Sequence, residues 1–194
     1  VELESYLDAL ASAEPTPGGG SAATIVAALA ASLVAMVARI TSDNPNHAAV
    51  APDAARIVGA ADALRAALVL ARRDDEAAYA LVVKATALPK DTTEAKMERT
   101  ARVQAALRGA AAAPLHAATL VVGVLALARD AAALGNRHLR SDVACAEHFA
   151  RAALRACAEN VRINHVYMRD PETIRRQEAE LADVERAAAG IAIA

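Results

Sequence analysis

The stretch EPTPGGGSAATIVAALAASLVAMVARI, from Glu14 to Ile40, decides the fold class. Two prolines and three consecutive glycines exclude a helix over Glu14 to Gly20. From Ser21 onward the pattern reverses. Ile25, Leu29, Leu33, Met36 and Ile40 recur at three- and four-residue intervals, the stripe of a long helix. Between them almost every residue is alanine, the strongest helix former. The polar run Ser42-Asp43-Asn44-Pro45-Asn46 ends that helix.

Working outward, the same three-and-four spacing returns along the chain, and alternating β-branched runs do not occur. A short helix is predicted over Glu2 to Ser12. Another starts near Pro52, carries Ile57, Ala61, Leu64 and Leu68 on one face, and runs to about Ala87. Leu88-Pro89-Lys90 breaks it. Asp91 and Glu94 read as a cap for a helix reaching Leu134, bent between Gly109 and Pro114 and stopped by Gly135. Ser141 or Asp142 opens a helix to Met168, and Asp170-Pro171 starts a peripheral final one. The fold class is all-α: one domain over 1–194, an up-and-down bundle of long helices.

The chain is 56% hydrophobic but only 2% aromatic. An alanine-built core makes each helix face shallow, which predicts further burial by dimerisation. A net charge of −2 argues against a nucleic-acid partner. The nearest candidate for a membrane span or signal peptide, Ala22 to Met36, has no basic segment before it and Arg39 just beyond. It reads as an amphipathic helix of a soluble protein, with no membrane partner expected. Cys145 and Cys157 lie about 18 Å apart on one helix and cannot bridge. Both are expected to be small core residues in a reducing, cytoplasmic setting.

Three groups of residues have chemical potential. In Thr16-Pro17-Gly18-Gly19-Gly20-Ser21, glycine N–H groups converge on a helix start, which suits an anion; the alternative is a plain turn capped by Ser21. The turn lacks the lysine of a P-loop and follows no strand. Asp142, Asn160 and Asn164 share one helix side, but Asp142 is about 27 Å from Asn160 along the axis. They meet only at the ends of a long ligand or across a symmetric interface; otherwise they are a first-turn acid and an inter-helix amide contact. Asp75, Tyr79, Lys90 and Arg99 form the third group, able to move protons and grip a carboxylate, or to be surface charge. The five histidines form no HExxH pair, so no metal is expected.

These motifs together resemble the cyclodeaminase/cyclohydrolase family. The resemblance is carried by Ser12-Ala13-Glu14-Pro15-Thr16-Pro17-Gly18-Gly19-Gly20-Ser21, by Met36-Val37-Ala38-Arg39-Ile40-Thr41, and by Asp75 with Ala78-Tyr79. It continues through Leu88-Pro89-Lys90, Glu94, Lys96 and Arg99, then Pro114-Leu115, Gly135-Asn136, Ser141-Asp142 and Asn160-Val161-Arg162-Ile163-Asn164. It implies an all-helical homodimer with a tetrahydrofolate derivative bound near the interface, and no metal or redox cofactor. It also implies hydrolysis of 5,10-methenyltetrahydrofolate to 10-formyltetrahydrofolate, or closure of 5-formiminotetrahydrofolate with loss of ammonia. The lack of a formiminotransferase segment favours the first. A non-catalytic folate-binding module is the remaining alternative. Within that resemblance Asp142 and Asp75 are the expected catalytic carboxylates and Lys90 the proton donor. Gly18, Gly19, Gly20, Ser21, Arg99, Asn136, Asn160 and Asn164 are expected to hold the pterin edge or glutamate tail.

Overall fold

A computed structural model describes residues 2–193. Its helices are α1 (Leu3–Leu10), α2 (Gly19–Ser42), α3 (Ala51–Thr86), α4 (Thr93–Ala133), α5 (Arg140–Tyr167) and α6 (Pro171–Ala189). Two 3-10 turns, Pro45–Val50 and Arg137–Leu139, precede α3 and α5. There is no strand among the described residues. Helices α2 to α5 run up and down, each packing on the next, with α5 closing back on α2. α6 lies outside, mainly along α4.

The predicted boundaries hold to within a residue or two at most ends, and two differences are informative. Gly19 and Gly20 belong to the first turn of α2 rather than to the loop. First-turn residues need no N–H partner of their own, so glycine is tolerated there more easily than mid-helix. Thr92, not Asp91, caps α4: its backbone is extended and its hydroxyl accepts the Ala95 N–H at 3.1 Å. As expected, α4 is one helix that continues through Pro114.

The core shows which side of α2 is buried. The stripe of large residues is only partly covered: Leu29 is 52% and Ile40 46% exposed, while Leu33 and Met36 pack against the core edge. The buried side is the alanine side, Ala23, Ala27, Ala30, Ala31, Ala35 and Ala38, with Val34 and Val37. Methyl groups let α2 sit close to α3, α4 and α5, which supply Leu68, Val121, Val124, Leu125 and Cys157. In α3 the predicted face is the buried one, with Ile57, Ala61 and Leu68 fully inside. By length and composition α2 and α4 could each cross a bilayer, but more than half of each apolar stretch is buried within the bundle.

α2 has 24 residues against 36 in α3 and 41 in α4. The α3–α4 hairpin therefore projects past the start of α2, leaving a step at one end of the bundle. The loop from Ala11 to Gly18 fills part of that step, and a cleft occupies the rest.

Candidate functional site

The cleft holds about 240 Å³ and is lined by the Gly18–Gly20 turn, Asp75, Tyr79, Asn160 and Asn164. Gly18 is extended and offers no side-chain cap, so the first N–H groups of α2 lack partners within their own helix. Asp75 reaches across from α3 to this positive helix end. Its carboxylate lies directly on Gly20, where an added Cβ would come 2.6 Å from the Asp75 Cγ. Only glycine leaves room for this approach.

Two influences oppose each other at Asp75. Its contact with the Ser21 backbone N–H favours the charged form, while burial and the neighbouring Glu76 carboxylate disfavour it. Burial wins, raising the pKa from 3.8 to about 6. Asp75 is thus poised to exchange a proton near neutral pH. Behind it, Cys157 is fully buried, and burial together with Asp75 pushes its thiol up to about 12. That thiol stays protonated and acts as core packing. Cys145, expected in the core as well, is exposed.

The two asparagines lie one turn apart on α5. Asn164 Nδ2 donates to the carbonyls of Asn160 at 2.7 Å and Ala110 at 3.1 Å. Asn160 Nδ2 donates to the Ala156 carbonyl at 2.8 Å, and its amide lies against Gly19. Carbonyls only accept, so both amide nitrogens are engaged by protein and both oxygens are left for a ligand. The cleft therefore offers backbone donors from one wall and three side-chain acceptors, Asp75, Asn160 and Asn164, from the other.

Ser21 faces away from the cleft. Its hydroxyl donates to Glu76 Oε1 at 2.7 Å, so the Tyr6 hydroxyl, 2.9 Å away, must be the donor to Ser21. Arg72 pairs with the same Glu76 oxygen at 2.7 Å and stacks over the Tyr6 ring. This Tyr6–Ser21–Glu76–Arg72 chain ties α1, α2 and α3 together behind Asp75. Tyr6, Arg72 and Glu76 escape sequence reasoning. The one local signal is the four-residue spacing of Arg72 and Glu76.

The remaining predicted residues lie elsewhere in the chain. Lys90 is exposed on the α3–α4 turn. Arg99 donates through Nε to the Thr86 carbonyl at 3.0 Å, capping the end of α3. Asn136 is at the opposite end of the bundle, where Nδ2 donates to Thr41 Oγ1 at 3.0 Å and Oδ1 accepts the His138 N–H. It borders a second cavity of about 280 Å³ with Arg137, Arg140 and Glu147. Asp142 stands at that same end, in the first turn of α5. Within one chain the Asp142 group and the Asp75 group do not meet. Among the described residues no cluster of three His, Cys, Asp or Glu could hold a metal ion.

The chain is similar to known proteins over most of its length. The family model described as formiminotransferase-cyclodeaminase matches residues 2–183. The chain is 39% identical, over 162 residues, to a methenyltetrahydrofolate cyclohydrolase of Methylorubrum extorquens, covering 84% of this chain and 78% of that one. It is 32% identical to the formimidoyltransferase-cyclodeaminase of Sus scrofa, where it covers only 30% of the longer protein. The crystal structure of formiminotetrahydrofolate cyclodeaminase from Thermotoga maritima superposes with a TM-score of 0.88 at 28% identity. That match covers 98% of this chain and 91% of the other.

Proposed function

The chain belongs to the formiminotransferase-cyclodeaminase family, and from that premise we propose that it is a methenyltetrahydrofolate cyclohydrolase. The observation that carries this reading is the Asp75 carboxyl, held near pKa 6 at an open helix start. The methenyl bridge is a cationic amidinium, and a carboxylate beside it stabilises that charge. Ionised Asp75 takes a proton from a water molecule as its oxygen bonds to the bridge carbon. The carbinol proton then leaves as the C–N5 bond breaks, and N5 takes up a proton. The balance is one water consumed, one proton released, and a formyl group left on N10.

The acceptor-rich wall made by Asn160 and Asn164 suits the N–H edge of a pterin rather than a glutamate tail, which Asp75 would repel. The test is the loss of methenyl absorbance with purified protein. Turnover above the uncatalysed rate, abolished in Asp75→Ala, is expected; an unaltered rate with the protein present refutes the assignment. The likeness to the Thermotoga maritima enzyme favours a second reading, cyclisation of formiminotetrahydrofolate. Ammonia release from that substrate, with no methenyl hydrolysis, would establish it instead.

We further propose a homodimer that completes the site. The outer face of α2 carries Ile25, Leu29, Leu33, Met36 and Ile40, none of them fully buried within the chain. Pairing two such faces about a two-fold axis, antiparallel, brings the start of one α2 beside the end of the other. Asn136, bonded to Thr41 at the end of α2, and Asp142 at the same end then approach the partner's Asp75 cleft. Free Cys145 at the surface supports a reducing, cytoplasmic location.

A further inference from the structure

Pro114 lies buried inside α4, about six turns from its start, in a helix that neither breaks nor ends there. A proline at this position is strongly disfavoured, because it has no N–H for the carbonyl four residues earlier. That carbonyl belongs to Ala110. It does not go unpaired: the Asn164 side chain of α5 donates to it at 3.1 Å. Ala110 itself lines the cleft.

We propose that Pro114 is a positioning residue for the cleft, acting through Asn164. By withholding an N–H it frees the Ala110 carbonyl. That carbonyl, with the Asn160 carbonyl, occupies both hydrogens of the Asn164 amide nitrogen. The amide then has one orientation, with Oδ1 presented to the ligand as an acceptor. With an ordinary residue at 114 the helix bond to Ala110 re-forms. The new N–H then competes for the Ala110 oxygen and weakens one of the two anchors, so Asn164 can rotate and present its donors instead.

This inference rests on the folate-hydrolase reading for its kinetic consequence, but its structural half does not. The test is a cycle of Pro114→Ala, Asn164→Ala and the double variant. Pro114→Ala is a better helix former and is expected to fold. The first measurement is the Asn164 side-chain amide by nitrogen-15 NMR, without ligand: slow exchange in the parent, fast exchange in Pro114→Ala. The second is KM for methenyltetrahydrofolate, expected to rise about tenfold in Pro114→Ala with kcat changed far less. Asn164→Ala should show a similar rise, and Pro114→Ala should add nothing in that background. A general packing role would give additive effects.

An Asn164 amide that stays protected in Pro114→Ala overturns the proposal, whatever the substrate is. So does a released amide with unchanged KM while Asn164→Ala raises it. If hydrolysis is absent in the parent but the amide is released, the cyclohydrolase assignment has failed. KM for the cyclodeaminase substrate then replaces it in the same cycle, and an unchanged KM there again refutes the positioning role.

Discussion

At the scale of single residues, Asp75 trades stability for chemistry. Below pH 3.8 its carboxyl is protonated in both folded and unfolded chains and carries no penalty. As pH rises past 3.8 the unfolded chain ionises while the folded one keeps its proton until about 6, so stability falls across that window and stays lower above it. Asp75→Asn should therefore raise stability at pH 8 by roughly 1 kcal/mol, after allowance for solvent screening. It should give no gain near pH 3, and should lower kcat by about a hundredfold or more. Denaturation midpoints at the two pH values and single-substrate kinetics check this. In the parent, kcat/KM should rise with pH through about 6, as the carboxylate of the free protein becomes able to accept a proton. None of this was legible in the sequence beyond the identity of Asp75. Its burial, its position on Gly20 and the Tyr6–Ser21–Glu76–Arg72 support arise from helices distant in sequence.

Among the elements, glycines separate structural from functional demands. Gly59 is inside α3 with open space around it, so Gly59→Ala should stabilise by about 0.5–1 kcal/mol through helix propensity and leave turnover unchanged. Gly20→Ala makes the same chemical change, but the new methyl meets the Asp75 carboxylate. It should lower kcat by roughly a hundredfold, because the carboxylate must move, while far-UV circular dichroism stays helical. A thermal melt and a rate measurement on both variants suffice. Helix number, order and approximate ends were legible because capping residues and breakers act locally, as at Asp170, whose carboxylate accepts the Glu172 and Thr173 N–H groups. The inward face of α2 was not. Periodicity shows which residues share a side, but large side chains on a stripe do not reveal whether that stripe meets the core or another chain. Likewise the partner of the carbonyl that Pro114 leaves free was not legible, since the Asn164 amide lies 54 positions from Ala110.

For the molecule as a whole, the proposed two-fold pairing makes a prediction that no monomeric site can satisfy. Asp75→Asn and Asp142→Asn chains are each expected to be inactive. Mixed, exchanged and allowed to reassociate, they form heterodimers with one doubly mutated cleft and one fully intact cleft. About a quarter of parental activity should return under random pairing. If each chain carries a complete site, none returns. Charge on the outer face of α2 tests the same geometry: Leu29→Glu should shift the protein to a monomer by sedimentation and abolish turnover, with the helical spectrum retained.

The alanine interior of α2 gives the bundle an unequal tolerance to change. Most large-to-small replacements are unavailable there, since Ala27, Ala30 and Ala38 have almost nothing left to remove. Enlargement is the open direction, and each added methylene must push two helix axes apart along their whole length. Because the cleft end of the bundle depends on how closely α2 approaches α3 and α5, a swelling at Ala30, several turns from Gly20, would be felt there as a misaligned gap. The least conspicuous side chain in the protein thus serves as its gauge.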